Sequence, residues 1–282
     1  MIIRDGTLAA RISRSRLAGA LMSPRGGVGV EELRGAVEGR TVLITGASYG
    51  LGAATARMLA DAGATVLMTA RTAAALAEVA GGRGHCYPAD LSDPAAVGEL
   101  AARVLAEHGP PDVVVSNAGK SIRRTLAASR FHDFQRTMAV NYLGPVRLLL
   151  DLLPAMRARG SGHLVNVSTI GVQVPPGPRW AAYQASKSAF DVFFRSAALE
   201  AAADGITATS VYMGLIRTRM SAPTASLANA PGQSADEAAG VLARAIARRP
   251  AKISPWWADL AELGAAVSRR PWEAAVRWRP RR

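Results

Sequence analysis

Cysteine is nearly absent: Cys86 is the only one in 282 residues, which excludes an internal disulfide and a cysteine-built metal site. Aromatic residues are scarce at 5%, so the 49% of apolar residues must build a core chiefly from Ala, Val, Leu and Ile. No run of about eighteen apolar residues occurs, and no membrane-spanning helix is expected. Nor is there a continuous apolar stretch of signal-peptide type near the N-terminus, where Arg11, Arg14 and Arg16 interrupt the text. Acids are the minority, 21 against 34 Lys and Arg, for a net charge of +13. That excess is not spread evenly. Residues 1–40 hold seven Arg against four acids, and residues 244–282 hold ten Lys or Arg against three, leaving 17 basic and 14 acidic residues in the body. Basic tails attract anions in general, but no nucleic-acid motif accompanies these, and nucleic acid is not an expected partner. The combination predicts a cytoplasmic protein of a reducing compartment.

What is present is alternation. Thr41–Thr45, Thr65–Thr69, His85–Pro88, Asp112–Ser116, His163–Ser168 and Ile206–Tyr212 read as strands rich in β-branched and apolar residues. Ala-rich helical stretches separate them, Leu51–Ala62 being the first. Strands alternating with helices imply βαβ units, a parallel sheet covered on both faces and right-handed crossovers. The expected fold is therefore α/β, a doubly wound Rossmann-type sheet in one domain over residues 39–255. Residues 1–38 fall outside the pattern. Leu8 and Ile12 share a helical face that Leu17 and Leu21 do not, and Ser23–Val30 is rich in Pro and Gly, so this extension is expected to be partly ordered. Residues 256–282 form a basic Trp/Arg-rich tail. Within it Trp256, Leu260, Leu263 and Val267 recur at helical spacing on one stripe, followed by Trp272, Val276 and Trp278 among arginines. The favoured expectation is that the stripe packs on its own domain or a partner subunit; the alternative is peripheral contact with an anionic membrane surface.

Two motifs carry chemistry. Thr45-Gly46-Ala47-Ser48-Tyr49-Gly50-Leu51-Gly52 joins the first strand to the first helix. Its glycines permit a tight turn and close approach of the backbone to a pyrophosphate, which the helix N-terminus stabilises. Tyr183 and Lys187 lie four residues apart on one helix face, so an ammonium can sit beside a phenol. A tyrosine titrates at about 10, and a neighbouring cation favours the phenolate, bringing it toward a useful range for acid–base work. Cys86, at a strand end before Tyr87 and Pro88, reads as a small buried apolar residue, not an activated thiol. His132 is a lone histidine at a helix start, fit for a local hydrogen bond.

The Gly-x-x-x-Gly-x-Gly spacing resembles that of the short-chain dehydrogenase/reductase family, and the resemblance extends over roughly residues 38 to 255. Asp90 and Leu91 look like the family's adenine-side pair, and Asn117-Ala118-Gly119 like its sheet-supporting motif. Asn141, Ser168, Tyr183 and Lys187 match the catalytic four. Met213-Gly214-Leu215-Ile216-Arg217-Thr218 resembles a segment that usually begins Pro-Gly, in which Ile216 and Thr218 would meet the nicotinamide and pyrophosphate; Met213 departs from it. The resemblance implies that Tyr183 protonates a developing alkoxide and Ser168 hydrogen-bonds the same oxygen. Lys187 would hold the nicotinamide ribose, and Asn141 a water that relays protons. It also implies a homodimer or homotetramer built on the helices that contain Asn141 and Tyr183. No metal is expected. The cofactor follows from the end of the second strand, where an NAD enzyme needs a carboxylate and a 2′-phosphate needs a cation. Met68-Thr69-Ala70-Arg71-Thr72 offers Arg71 and no acid, predicting NADP(H).

The substrate is less legible. The loops expected to meet it are Lys120–Arg130, Gly171–Arg179 and Leu215–Pro231. The first carries Lys120, Arg123 and Arg124, the second is apolar and Pro-rich, and together they suit a lipophilic carbonyl with an anionic carrier. A solvated loop with a subunit contact is the plainer alternative. Residues 116–124, 130–138 and 216–224 look like the bacterial fatty acyl-CoA reductases of this family, and like related reductases of unassigned substrate. The small-molecule substrate is thus a ketone or aldehyde, or an acyl-CoA or other acyl carrier whose thioester is reduced to an aldehyde. A third class stays open: a non-catalytic NADP(H)-binding sensor or scaffold.

Overall fold

The computed structural model describes residues 23–222, 224, 230–268, 270, 271 and 274. Seven strands form one parallel sheet in the order β3-β2-β1-β4-β5-β6-β7. They are β1 (Thr41–Thr45), β2 (Thr65–Ala70), β3 (His85–Pro88), β4 (Val113–Ser116), β5 (Gly162–Thr169), β6 (Ile206–Met213) and β7 (Lys252–Ile253). Six of these match the expected strands to within a residue or two; β7, two residues long, is too short to leave a periodicity.

Nine helices are described: α1 (Val30–Val37), α2 (Gly50–Asp61), α3 (Ala73–Ala80), α4 (Pro94–His108), α5 (Phe131–Met138), α6 (Gly144–Arg159), α7 (Ala181–Ala201), α8 (Ala235–Arg248) and α9 (Trp256–Val267). The strand interiors are apolar on both faces because helices cover both, as parallel sheets require. On one face Ile44, Met68 and Val115 meet Leu59 of α2 and Val241, Leu242 and Ile246 of α8. On the other, Leu43, Leu67 and Val114 meet Leu100 and Val104 of α4, Leu148 and Leu152 of α6, and Phe190 and Phe194 of α7. Strand order reverses between β1 and β4, so their carboxyl ends open a crevice, the usual ligand position in such sheets.

Residues 23–38 are built onto this body. Gln233 Nε2 donates to the Pro24 carbonyl at 2.7 Å, and Arg248 grips Glu32 with two bonds of 2.7 and 3.0 Å. Leu33 and Val37 of α1 are buried in the core. Two apolar residues are too few to register as a helical pattern in sequence. The Leu8, Ile12, Leu17 and Leu21 pattern lies outside the described residues, as do Trp272, Val276 and Trp278.

Of the two packings expected for the α9 stripe, on its own domain or on a partner subunit, the first is corrected by the structure. On α9 the residue buried against the domain is Ala258, while Trp256, Leu260, Leu263 and Val267 are 61–81% exposed. The stripe does not pack on its own domain, because acidic residues on the helix orient it, as described below. Among the described residues no helix is long and apolar enough to cross a membrane.

Candidate active site

The glycine-rich turn leaves β1 at Thr45. Gly46 has φ of +68°, a left-handed conformation that disfavours a side chain. Gly52 is required by proximity: a Cβ there would lie 2.3 Å from the Gly46 carbonyl oxygen and 2.6 Å from Asn117 Nδ2. Asn117 closes the turn from the other side, donating through Nδ2 to the Thr45 and Gly46 carbonyls at 2.9 and 3.2 Å. Backbone amides of Asn117 and Ala118 both donate to Thr45 Oγ1 at 3.0 Å. Asn117 and Ala118 therefore brace the ends of β1 and β4, and Gly119 lies within reach of Asn141 and Lys187.

The roof of the turn comes from the segment after β6. A side chain at Gly50 would meet the Thr218 methyl at 2.9 Å, and the Arg219 guanidinium lies over the half-exposed Tyr49 ring at 5.4 Å. Ser48 and Leu51 complete this turn, with Leu51 buried in the core at the start of α2. Gly214 follows the buried end of β6, and Ile216 bridges to Gln233 in a short parallel contact. With Met213 in place of the usual proline, the chain still leaves β6 toward the glycine-rich turn.

Asn141 sits in a π-helical turn, Ala139–Leu143, between α5 and α6, a distortion that often marks functional positions. Its Oδ1 accepts from the Lys120 amide at 2.7 Å, while Nδ2 donates to the Lys120 carbonyl and to Ser186 Oγ, both at 2.9 Å. Ser186 in turn donates to the Tyr183 carbonyl at 2.8 Å. The buried Asn141 thus ties the loop after β4 to the turn of α7 that carries Tyr183.

Tyr183 and Lys187 share a face of α7, yet they are held by different atoms of β5. Lys187 Nζ donates to the Val167 carbonyl at 2.9 Å, and the Thr169 side chain acts on the Tyr183 phenol. Ser168 lies between those two contacts. Its hydroxyl is buried and has no hydrogen-bond partner among the described residues. Burial brings the Lys187 ammonium down to about 8, with Asp191 opposing the shift from one turn along the helix. Burial also pushes the Tyr183 phenol up, against the hydrogen bond from Thr169. This differs from the expected lowering by Lys187: desolvation governs the phenol, and the ammonium is bound to a strand carbonyl.

Asp191 is the supporting residue that motif reading missed. It is buried, accepts from Arg195 Nε at 3.0 Å and Asn166 Nδ2 at 3.4 Å, and burial raises its carboxyl. Its spacing from Lys187, four residues, equals that from Tyr183 to Lys187, so the signal was present in the sequence.

A cationic group surrounds the other end of the crevice. Burial lowers the Lys120 ammonium, and nearby Arg136 and Arg71 push it further down. Partial burial would raise the Asp90 carboxyl, but bonds from the Ser92 amide and hydroxyl, with Arg71 and Arg136 nearby, hold it low. Leu91, beside it, is buried among α4 and α6 residues. Arg136, on α5, is a second residue the motifs did not single out. The crevice fits a dinucleotide in its chemistry: a glycine cradle with no room for side chains, cations around Asp90, and unpartnered buried hydroxyls of Thr69, Ser116 and Ser168 at the ends of β2, β4 and β5.

Two of the expected substrate loops meet beside Tyr183. The Arg124 amide donates to the Arg179 carbonyl at 3.0 Å, and Gln184 braces Gly171 and Gly177 at 3.0 and 3.1 Å. Trp180 packs against the Tyr183 ring, centroids 5.8 Å apart, and the Arg123 guanidinium lies over Trp180 at 5.5 Å. Arg124 is occupied by Asp133 at 2.8 Å. The third loop is described only in part. Cys86 is half-buried against the core and burial pushes its thiol up, so it is not an activated nucleophile; His132 is exposed on α5. Among the described residues no cluster of His, Cys, Asp and Glu could hold a metal ion.

Residues 40–228 match the short chain dehydrogenase family. The chain is 43% identical over 240 residues to a fatty acyl-CoA reductase of Acinetobacter baylyi, covering 82% of this chain and 81% of that protein. To an uncharacterized oxidoreductase of Mycobacterium tuberculosis it is 45% identical over 247 residues, 84% of this chain and 72% of the other. Among solved structures, a metagenomic short-chain oxidoreductase in complex with NADP superposes with a TM-score of 0.66 at 30% identity, over 77% of this chain and 97% of that one.

Proposed function

The chain belongs to the short-chain dehydrogenase family of oxidoreductases, and we propose that it is an NADP(H)-dependent reductase of a lipophilic or carrier-linked carbonyl. One observation carries the reading: Lys187 donates to the Val167 carbonyl and the Thr169 side chain acts on the Tyr183 phenol, so both groups stand at the end of β5 on either side of Ser168, whose hydroxyl has no hydrogen-bond partner among the described residues. A carbonyl oxygen seated there would meet a donor from Ser168 and a proton from Tyr183 as negative charge develops on it. When bound, NADP(H) supplies the hydride to the carbonyl carbon. Lys187 would hold the nicotinamide ribose, with Asn141 fixing the Lys120 loop through its bonds to that residue's amide and carbonyl. Arg71, with Lys120 and Arg136, would hold the 2′-phosphate; the NADP-bound relative is in keeping with this choice.

Within that class, a fatty acyl thioester is the substrate best supported, by similarity to the Acinetobacter baylyi reductase and by the apolar composition of the second loop, with Val172, Val174 and Pro175, together with the Arg123 guanidinium over Trp180 in the loops beside Tyr183. Reduction of the thioester carbonyl and collapse with loss of thiolate would give an aldehyde. NADPH oxidation against a panel of ketones, aldehydes and fatty acyl-CoAs tests both levels. Turnover is expected, with Tyr183→Phe lowering it about 10²–10⁴-fold while NADPH binding is kept. Tight NADPH binding with no turnover across the panel would instead favour a non-catalytic sensor.

A further inference from the structure

The outward face of α9 carries Trp256, Leu260, Leu263 and Val267, each mostly exposed. At about 100° per residue these four fall within an arc of about 60°. Their spacing is that of a packed helix, yet the structure turns them away from the domain. The acidic side of the same helix explains this. Asp259 and Glu262 accept from Gln173 Nε2 at 3.0 and 3.1 Å and pair with Lys252 Nζ at 2.7 and 3.1 Å. Ser254 Oγ adds a bond to Asp259 at 2.8 Å. Polar contacts hold the helix, Ala258 makes the close approach, and the apolar stripe is left uncovered. An aligned apolar surface of this kind marks an interaction site.

The occupant is indicated by charge. Residues 269–282 contain six Arg and one acid, Glu273, with Trp272 and Trp278 among them. A second copy of the chain carries the same positive excess and offers it no opposite charge. Anionic headgroups complement that excess, and Trp and Leu on the stripe suit the boundary between headgroups and acyl chains. We infer that α9 lies flat on an anionic lipid surface through Trp256, Leu260, Leu263 and Val267. The Gln173 contact ties this helix to the loop five residues beyond Ser168, which sets the substrate entrance beside the lipid. Only that last use of the docking rests on the lipophilic-substrate reading.

Co-sedimentation with lipid vesicles, without substrate or cofactor, tests it on the full-length chain. Vesicles of phosphatidylcholine with phosphatidylglycerol should bind the protein about tenfold or more tightly than phosphatidylcholine alone, and less so as salt rises. The double variant L260D/L263D should lose about tenfold or more of that binding. Both positions are exposed, so circular dichroism and NADPH binding should be unchanged. Equal binding by the variant, or no binding by either protein, overturns the inference. Loss of oligomer mass in the variant by sedimentation velocity, without vesicle binding by the wild type, assigns the stripe to a second copy and also overturns it. Because no substrate is present, inactivity on every acyl thioester would sink the reductase reading and leave this result standing.

Discussion

Lys187 and Tyr183 show how little a side-chain spacing says about a partner. Both project from one face of α7, but Lys187 is bonded to Val167 while the Thr169 side chain acts on Tyr183, and burial is the largest influence on each. Asp191 opposes the loss of charge on Lys187 and belongs to the same helical face, one turn on. At the cofactor's other end, Arg71 is the residue on which the choice of nicotinamide turns in our reading. Arg71→Asp should weaken NADPH binding relative to NADH by about tenfold or more, since a cation is replaced by a charge that repels a 2′-phosphate. Fluorescence titration of both cofactors measures the ratio. An unchanged ratio would transfer the role to Lys120 and Arg136, neither of which follows β2.

Strand β5 is the element that organises the molecule at both ends. Its carboxyl end presents Val167, Ser168 and Thr169 to α7. Its amino end buries His163, whose Nδ1 and Nε2 meet Thr207 Oγ1 at 2.9 Å and Thr209 Oγ1 at 3.3 Å on β6. Burial, aided by Arg249, brings this ring down to about 4. The fold therefore prefers neutral His163. Its contribution is complete above the ordinary histidine value of about 6.5 and is lost as pH falls from there toward 4. The loss amounts to about 3 kcal/mol. Urea unfolding between these pH values should show this decline in wild type, and His163→Asn should flatten it. An equal slope in the variant would refute the assignment. Strand limits were readable because a buried strand is a nearly continuous apolar run. His163 sits inside such a run, and its partners lie more than forty residues away, so its environment was not readable.

For the whole molecule, the long helices α6 and α7 leave Leu150, Val192 and Leu199 substantially exposed. Between them lies a groove lined by Leu153, Pro154, Phe193 and Ala197. We propose this face as the oligomer interface, separate from the α9 stripe. Introducing Leu150→Asp with Val192→Asp should reduce the sedimenting mass by half or more, since buried charges at an apolar interface are costly. A wild-type mass in the variant would move the interface elsewhere. The two surfaces make different demands: one pairs helices with helices, the other sets arginines against anions.

The sequence by itself determined the alternation of strands and helices, the glycine-rich turn and the tyrosine–lysine pair, because each is a local pattern written in consecutive residues. It also carried the resemblance to a family that the comparison then bore out. Only the tertiary structure decided which groups meet. It brought Arg136 toward Lys120 and Asp90, left Ser168 without a partner among the described residues, and anchored Leu33 and Val37 from a segment that had no clear pattern. It also decided that α9 shows its apolar stripe to the outside. Periodicity identifies a face but not its direction, which depends here on Gln173 and Lys252, residues from other elements that hold the acids on the flank of the stripe.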